Sequence, residues 1–144
     1  QAGIASMPAV ETTMYWKHMI MASLISGIVP SAPITSPRWG DTHPAAAVGG
    51  GIVVNHDDTG GYLRGHFLRL QGPLTGPIYT GPGGGGVSPR TAALIDRKMD
   101  DGKANIGQVT AANPSGGWSG CATPSTGVYD DHVTKTCILF FRSF

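Results

Sequence analysis

The sequence is poor in charge. Asp, Glu, Lys and Arg make up 13% of its 144 residues, against roughly 25% in an ordinary soluble domain. Ten basic and nine acidic side chains give a formal net charge of +1, and neither sign forms a run. Binding to nucleic acids or to anionic membranes requires a basic patch or stripe. The sequence therefore argues against both kinds of partner.

Long apolar runs are also missing. A membrane-spanning helix needs about 18 to 20 apolar residues, and the longest candidate, residues 19–29, is interrupted by Ser23, Ser26 and Gly27. Gln1 opens the sequence in place of methionine, and no basic-then-apolar leader follows it. We therefore expect that a targeting segment has been removed or that the sequence is a fragment.

Cysteine is scarce: the sequence has two cysteine residues, Cys121 and Cys137. An even pair in a glycine-rich chain favours one structural disulfide formed in an oxidising compartment, with two free thiols as the alternative. Such a bridge would close a short loop and stabilise the chain by roughly 3 kcal/mol. The wide spacing excludes a Cys-x-x-Cys redox motif.

Glycine and proline, by contrast, are abundant, with 22 and 11 copies. Their share is just under the level at which a whole chain is suspected of disorder, so long loops are expected. Prolines and a glycine run make residues 28–51 one such loop. The glycine-rich residues 81–86 are another, because no Gly-Lys-Ser/Thr signature of a phosphate-binding loop follows them.

Two segments have helical signals. Over residues 11–26, apolar side chains recur at steps of three and four, and Gly27 follows as a left-handed cap. Ser88 is a predicted N-cap and Pro89 the first residue of a second helix that ends at Gly102. We therefore expect two short helices.

Four further segments are rich in β-formers. Residues 52–54 and 62–70 predict a hairpin around a turn at 55–61, and residues 107–112 and 136–141 predict two more strands. Together the signals predict that all 144 residues form a single α+β domain. Its antiparallel sheet would carry short helices and long Gly/Pro-rich loops.

Histidine and aspartate are the candidate metal ligands of this sequence. The five histidines show neither the i, i+4 nor the His-x-His spacing that zinc sites use, so zinc is not expected. Calcium prefers oxygen ligands, and three acidic groups could supply them: Asp57 with Asp58, Asp130 with Asp131, and Asp96 with Asp100 and Asp101. The sequence favours the alternative that these residues serve turns, where Asp bonds nearby backbone groups.

Catalysis is not expected. The segment 117–121 lacks the second glycine of a nucleophile elbow, so nothing indicates a hydrolase triad. Aromatic side chains are predicted to pack in the core and at subunit interfaces, with stacking on sugars as the alternative. The interface candidates are Tyr15, Trp16, Phe140 and Phe141.

Two motifs resemble a known family. They are Glu11-x-x-x-Tyr15-Trp16-x-His18-Met19 and Ile95-Asp96-x-Lys98-Met99-Asp100-Asp101-Gly102-x-x-x-x-Gly107. With Cys121, Cys137 and the closing apolar strand, they make about half of the chain resemble bacterial pilin-like proteins. These are the globular heads of type IV pilins and type II secretion pseudopilins.

The resemblance implies an α+β head with an antiparallel sheet, a disulfide near the C-terminus and a structural, non-enzymatic role in an extracellular filament. Its partners would be copies of itself and other pilin subunits. The family's long apolar N-terminal helix is missing from the sequence. We therefore expect either a truncated chain or a split pilin whose helix is a separate short chain, with membrane contact only through that helix.

The implied location is the bacterial cell surface, with the periplasm before assembly. The alternative function is a secreted adhesin or carbohydrate-binding module with calcium at an acidic turn. A pilin head should present an apolar groove near Phe140 and Phe141, whereas a lectin should keep aromatic side chains exposed beside Asp-rich loops.

Overall fold

Two helices and a four-stranded sheet make up the described part of the chain. The computed structural model describes residues 9–29, 38–57, 65–72, 84–113, 117–132, 134 and 136–142. Its elements are α1 (Ala9–Met21), β1 (Gly51–Asp57), β2 (Gly65–Gln71), α2 (Pro89–Met99), β3 (Val109–Ala112) and β4 (Ile138–Arg142). The expected small α+β fold with an antiparallel sheet is thereby confirmed. Neither described helix is long and apolar enough to cross a membrane.

The sheet has the strand order β1-β2-β4-β3, and every neighbouring pair is antiparallel. Strands β1 and β2 pair along their full length, from Gly51 opposite Gln71 to Asp57 opposite Gly65. The C-terminal strand β4 lies between β2 and β3. An apolar strand in this central position can be buried on both faces.

Strand β4 shows this double burial directly. Alternate residues of a strand point to opposite faces of the sheet. Leu139 packs in the main core with Leu70, Ala111 and Ala92 of α2, while Phe140 packs with Phe67 on the opposite face. The uninterrupted apolar run at the chain's end follows from these two cores.

Helix α1 ends at Met21, so the expectation that it continues to Ser26 and is capped by Gly27 is wrong. Backbone hydrogen bonds end it earlier: the Leu24 N–H donates to the carbonyl of Met19, and the Ser23 N–H donates to that of Ile20. These two bonds form a Schellman cap. Its left-handed position is filled by Ser23, with φ of 59°.

Replacing Ser23 by glycine should therefore stabilise the protein. A side chain at left-handed φ is strained by its Cβ, and glycine removes that strain at some cost in unfolded-state entropy. We expect Ser23→Gly to raise the free energy of unfolding by about 0.5 to 1 kcal/mol, measured by urea denaturation. Ser26→Gly, at another exposed position, is the matched control and should give no gain.

Helix α2 begins as predicted: the Ser88 hydroxyl accepts a hydrogen bond from the Thr91 N–H, and Pro89 is the first helical residue. It ends at Met99, three residues before the expected Gly102. Strand β3 begins at Val109, two residues later than predicted. The reason is that the N–H groups of Gln108 and Val109 donate to the carboxylate of Asp100.

The hairpin differs from the prediction at its turn. Strand β1 continues to Asp57, where a turn was expected from Asn55 onward, because residues 55–57 still pair with β2. The remainder of the predicted turn, with the start of the predicted second strand, lies outside the described residues. Strand β4 begins at Ile138, since Cys137 before it forms an isolated bridge with Val87.

Candidate functional site

The end of α2 brings three carboxylates together. Oxygen atoms of Asp96, Asp100 and Asp101 lie within 4.8 Å of one another. Asp96 and Asp100 are four residues apart, which places them on one face of the helix end. Sequence spacing indicated this group, and the structure does bring its three members together.

Asp96 is fully buried, and both of its carboxylate oxygens are hydrogen bonded. One accepts from the Gly102 N–H at 3.0 Å, and the other accepts from the Tyr129 hydroxyl at 2.7 Å. Burial raises the pKa of Asp96, the two hydrogen bonds oppose that rise, and the neighbouring acids Asp101 and Asp100 add to it. Burial also raises the pKa of Tyr129, and its bond to Asp96 adds to the rise.

Removing the Tyr129 hydroxyl should therefore be costly. Tyr129→Phe leaves the buried Asp96 carboxylate with one hydrogen bond fewer, and hydrogen bonds to charged groups contribute about 1.5 to 3 kcal/mol. We expect a loss of that size in the free energy of unfolding at pH 7, measured by urea denaturation. The loss should shrink at pH 4, because a protonated Asp96 needs the donor less.

The matched control for this substitution is Tyr15→Phe, which removes a hydroxyl from a half-buried tyrosine on α1. Its effect should stay within about 0.5 kcal/mol. Equal losses in the two variants, or a Tyr129→Phe loss that is the same at both pH values, would contradict the role assigned to the Asp96–Tyr129 bond.

Asp100 and Asp101 serve the backbone around them. The Asp100 carboxylate accepts from the N–H groups of Gln108 and Val109, the second at 3.1 Å, and Asp101 accepts from the Lys103 N–H at 2.8 Å. Gly107 lies against the Asp100 carboxylate with φ of +87°, and a Cβ there would collide with it. The three acids thus brace the turn between α2 and β3, while calcium binding stays a prediction.

An open cleft of about 610 Å³ lies beside the acids, between α2 and residues 126–131. Basic and acidic side chains both line it, among them Arg90, Arg97, Asp101 and Asp131. Leu94 and Val128 add apolar surface and are each 61% exposed.

The second predicted calcium group is Asp57 with Asp58. Asp57 ends strand β1, opposite Gly65. Its side chain, like the whole of Asp58, lies outside the described residues. Calcium at this turn therefore stays a prediction.

The four interface candidates lie at different depths. Trp16 is buried and meets the Tyr15 ring edge-on, with ring centroids 5.0 Å apart. Phe140 is buried in the second core, and Phe141 is partly buried against the main core. Among these four, Tyr15 and Phe141 keep part of their surface accessible. Their role between subunits remains a prediction.

The disulfide is the site prediction that the structure confirms. Cys121 and Cys137 are bonded, with Cα atoms 5.1 Å apart, and both are fully buried in the main core. The partnership of Asp96 with Tyr129 was not predicted. The two residues are 33 positions apart, and no spacing motif connects residues at that distance.

Comparison with known proteins identifies no relative. No protein-family model, no curated protein and no solved structure matches the chain.

Proposed function

We propose that this protein is a non-catalytic structural subunit, the globular head of a type IV pilus-like or pseudopilus filament. Three features support the proposal. Helix α1, which contains the first pilin-like motif, contacts the edge strand β1. The second motif forms the end of α2 and the turn into β3. The disulfide between Cys121 and Cys137 links two parts of the C-terminal region, as the family resemblance implies.

Exposed large apolar side chains on a chain of low charge carry the proposal, and two groups of them are the proposed contact surfaces. One group lies at the end of α1 and includes Met21, 69% exposed, and Leu24. The other is the pair Leu94 and Val128 at the cleft. Exposed apolar surface of this kind is typical of contact sites, and two different surfaces suit a head-to-tail contact, which builds open filaments when it does not close into a ring.

The partners we propose are copies of this chain, other pilin subunits and an apolar N-terminal helix, either upstream in the same polypeptide or on a separate short chain. The proposed location is the bacterial cell surface, with the periplasm before assembly. A buried disulfide supports this location because such bonds form in oxidising compartments.

The first experiment is electron microscopy of native surface material from the cells that express the chain, with mass spectrometry of copurifying proteins. We expect filaments that contain the chain together with a short apolar helix. Dispersed monomers, with no such helix encoded upstream or on another chain, would overturn the proposal.

Substitutions then test the two surfaces. Met21→Asp and Leu94→Asp place charge at exposed apolar positions, so we expect the melting temperature of the isolated chain to be unchanged and incorporation into filaments to fall at least tenfold. Thr123→Asp adds the same charge at an exposed polar position and is the control. Normal incorporation of both test variants would contradict the assigned surfaces.

The alternative function, a calcium-dependent adhesin or carbohydrate-binding module, is favoured by one observation, the three carboxylates beside the cleft. Among the described residues, no Trp, Tyr or Phe is fully exposed, and this leaves no aromatic platform for a sugar there. If calcium binds, millimolar CaCl₂ should raise the melting temperature of the parent chain and not that of Asp101→Asn. An unchanged melting temperature in the parent would count against calcium.

A further inference from the structure

The β1–β2 hairpin brings two histidines together that are ten positions apart in the sequence. His56 lies directly opposite His66 in the strand register, and their ring centroids are 4.6 Å apart with planes tilted by 55°. The two histidines have neither the i, i+4 nor the His-x-His spacing of common zinc motifs, so the sequence did not indicate that they pair. The pairing depends on the register of the hairpin.

The hydrogen-bond pattern explains why the rings come so close. The Ile52 N–H points away from β2 and donates to the carbonyl of Pro44. Because this orientation alternates along a strand, His56 shares the outward orientation of Ile52. His56 and His66 therefore form a non-hydrogen-bonded pair, the arrangement in which facing side chains approach most closely in an antiparallel sheet.

The two rings differ in their surroundings. His56 is 7% exposed, and its Nδ1 atom makes no hydrogen bond within the described part of the chain. The His56 N–H is held at 2.9 Å by the side-chain oxygen of Asn55. His66 is exposed, so an ion in solution can reach the pair.

We propose that His56 and His66 together form a binding site for a divalent transition-metal ion. Neutral imidazole is a preferred ligand of Cu²⁺, Ni²⁺ and Zn²⁺, whereas Ca²⁺ and Mg²⁺ prefer oxygen. Metal–nitrogen bonds of about 2.0 to 2.1 Å allow one ion to be shared by two rings at this separation, with water at its other positions. The ion would link the two strands at the end of the hairpin.

The position of the pair favours binding. Both ligands lie on paired strands, so little conformational freedom is lost when an ion joins them. Two linked donors bind one ion more tightly than either donor alone, because the second bond forms at a high effective concentration. His18 is exposed on α1, and it lacks the cross-strand partner that His66 has.

The test is a titration of the full chain, without a histidine tag, with CuCl₂ and NiCl₂ at pH 7.5 by calorimetry. We expect one ion per chain, with Cu²⁺ bound more tightly than Ni²⁺. His66→Gln, at an exposed position, should weaken binding at least about tenfold, and His18→Gln should leave it unchanged.

Histidine ring NMR of the parent chain gives a second readout that needs no variant. A substoichiometric amount of Cu²⁺ should broaden the signals of His56 and His66 first. The proposal is overturned if His66→Gln binds like the parent, if His18→Gln loses as much, if other histidines broaden first, or if millimolar metal fails to bind.

Discussion

Replacing Cys121 and Cys137 together by alanine should lower the free energy of unfolding by about 3 to 5 kcal/mol. Part of that loss is the added freedom of the unfolded chain, since the bridge closes a loop with a sequence separation of 16. The rest comes from the core, because both sulfur atoms are removed from a fully buried position among apolar side chains. Urea denaturation of the oxidised parent and the double variant measures the loss.

The loss is a large fraction of the 5 to 15 kcal/mol that typically separates folded from unfolded domains. The bridge has this effect because it connects two parts of the C-terminal region. Cys137 directly precedes β4 and pairs with Val87, just before α2, while the Asp130 N–H donates to the Cys121 carbonyl. Loss of the bridge should therefore loosen the 117–132 segment, including one wall of the cleft.

The reduced parent chain is the matched control, because it keeps both sulfur atoms and lacks the bond. We expect it to lose about 3 kcal/mol, and the double alanine variant to lose more. An unchanged urea midpoint on reduction would show that the bridge contributes nothing to stability. Equal losses of unfolding free energy in the reduced parent and the double alanine variant would show that removing the sulfur atoms causes no further destabilisation.

Local signals in the sequence predicted what local chemistry decides. The cap of α2 depends on Ser88, Pro89 and Thr91, which are neighbours in the chain, and the structure shows it as predicted. The end of α1 was missed for a related reason. Gly27 suits a left-handed cap in the sequence, but Ser23 takes that conformation four residues earlier because its N–H and that of Leu24 reach helix carbonyls there.

Features that depend on long-range pairing could not be predicted from spacing. The register of β1 with β2 lengthens β1 to Asp57 and brings His56 to His66. The fold likewise brings Tyr129 to Asp96. The sequence favoured a role for the acids as hydrogen-bond acceptors in turns. This role could be predicted because some of the donors are close in the sequence, as the N–H groups of Gly102 and Lys103 show.

His43 should make the protein lose stability as the pH falls from 6.5 toward 4. Burial lowers the pKa of His43 to about 4 from an ordinary value of 6.5. Between these values the unfolded chain binds a proton at His43 and the folded chain does not, so stability falls with pH. A difference of this size corresponds to about 3 kcal/mol, present above pH 6.5 and lost by about pH 4.

The surroundings of His43 explain the direction. The side chain is fully buried, and the ring of Trp39 meets it edge-on. Its Nδ1 atom pairs with the Thr42 hydroxyl at 2.9 Å, while Nε2 makes no hydrogen bond within the described residues. A proton on this ring would place a charge in a buried site where, among the described residues, no carboxylate offsets the burial, and this disfavours the charged form.

Urea denaturation from pH 7 to pH 4 should show this loss in the parent chain and a flatter profile in His43→Gln, whose side chain does not titrate. Asp96 acts with the opposite sign: its pKa is raised, so its protonation favours the folded state and partly offsets His43 at the acid end of the range. The upper half of the range from pH 6.5 to pH 4 is therefore the better test of the contribution of His43. His18→Gln, at an exposed position on α1, is the matched control for the substitution itself.

If His43→Gln fails to fold, ring NMR of the parent chain still measures the titration of His43 directly. The signal should remain that of a neutral imidazole down to about pH 4. A midpoint near 6.5, or equal slopes in the parent and His43→Gln, would contradict the assignment. The residue would then be able to take up a proton in the folded state without breaking its edge-on contact with Trp39.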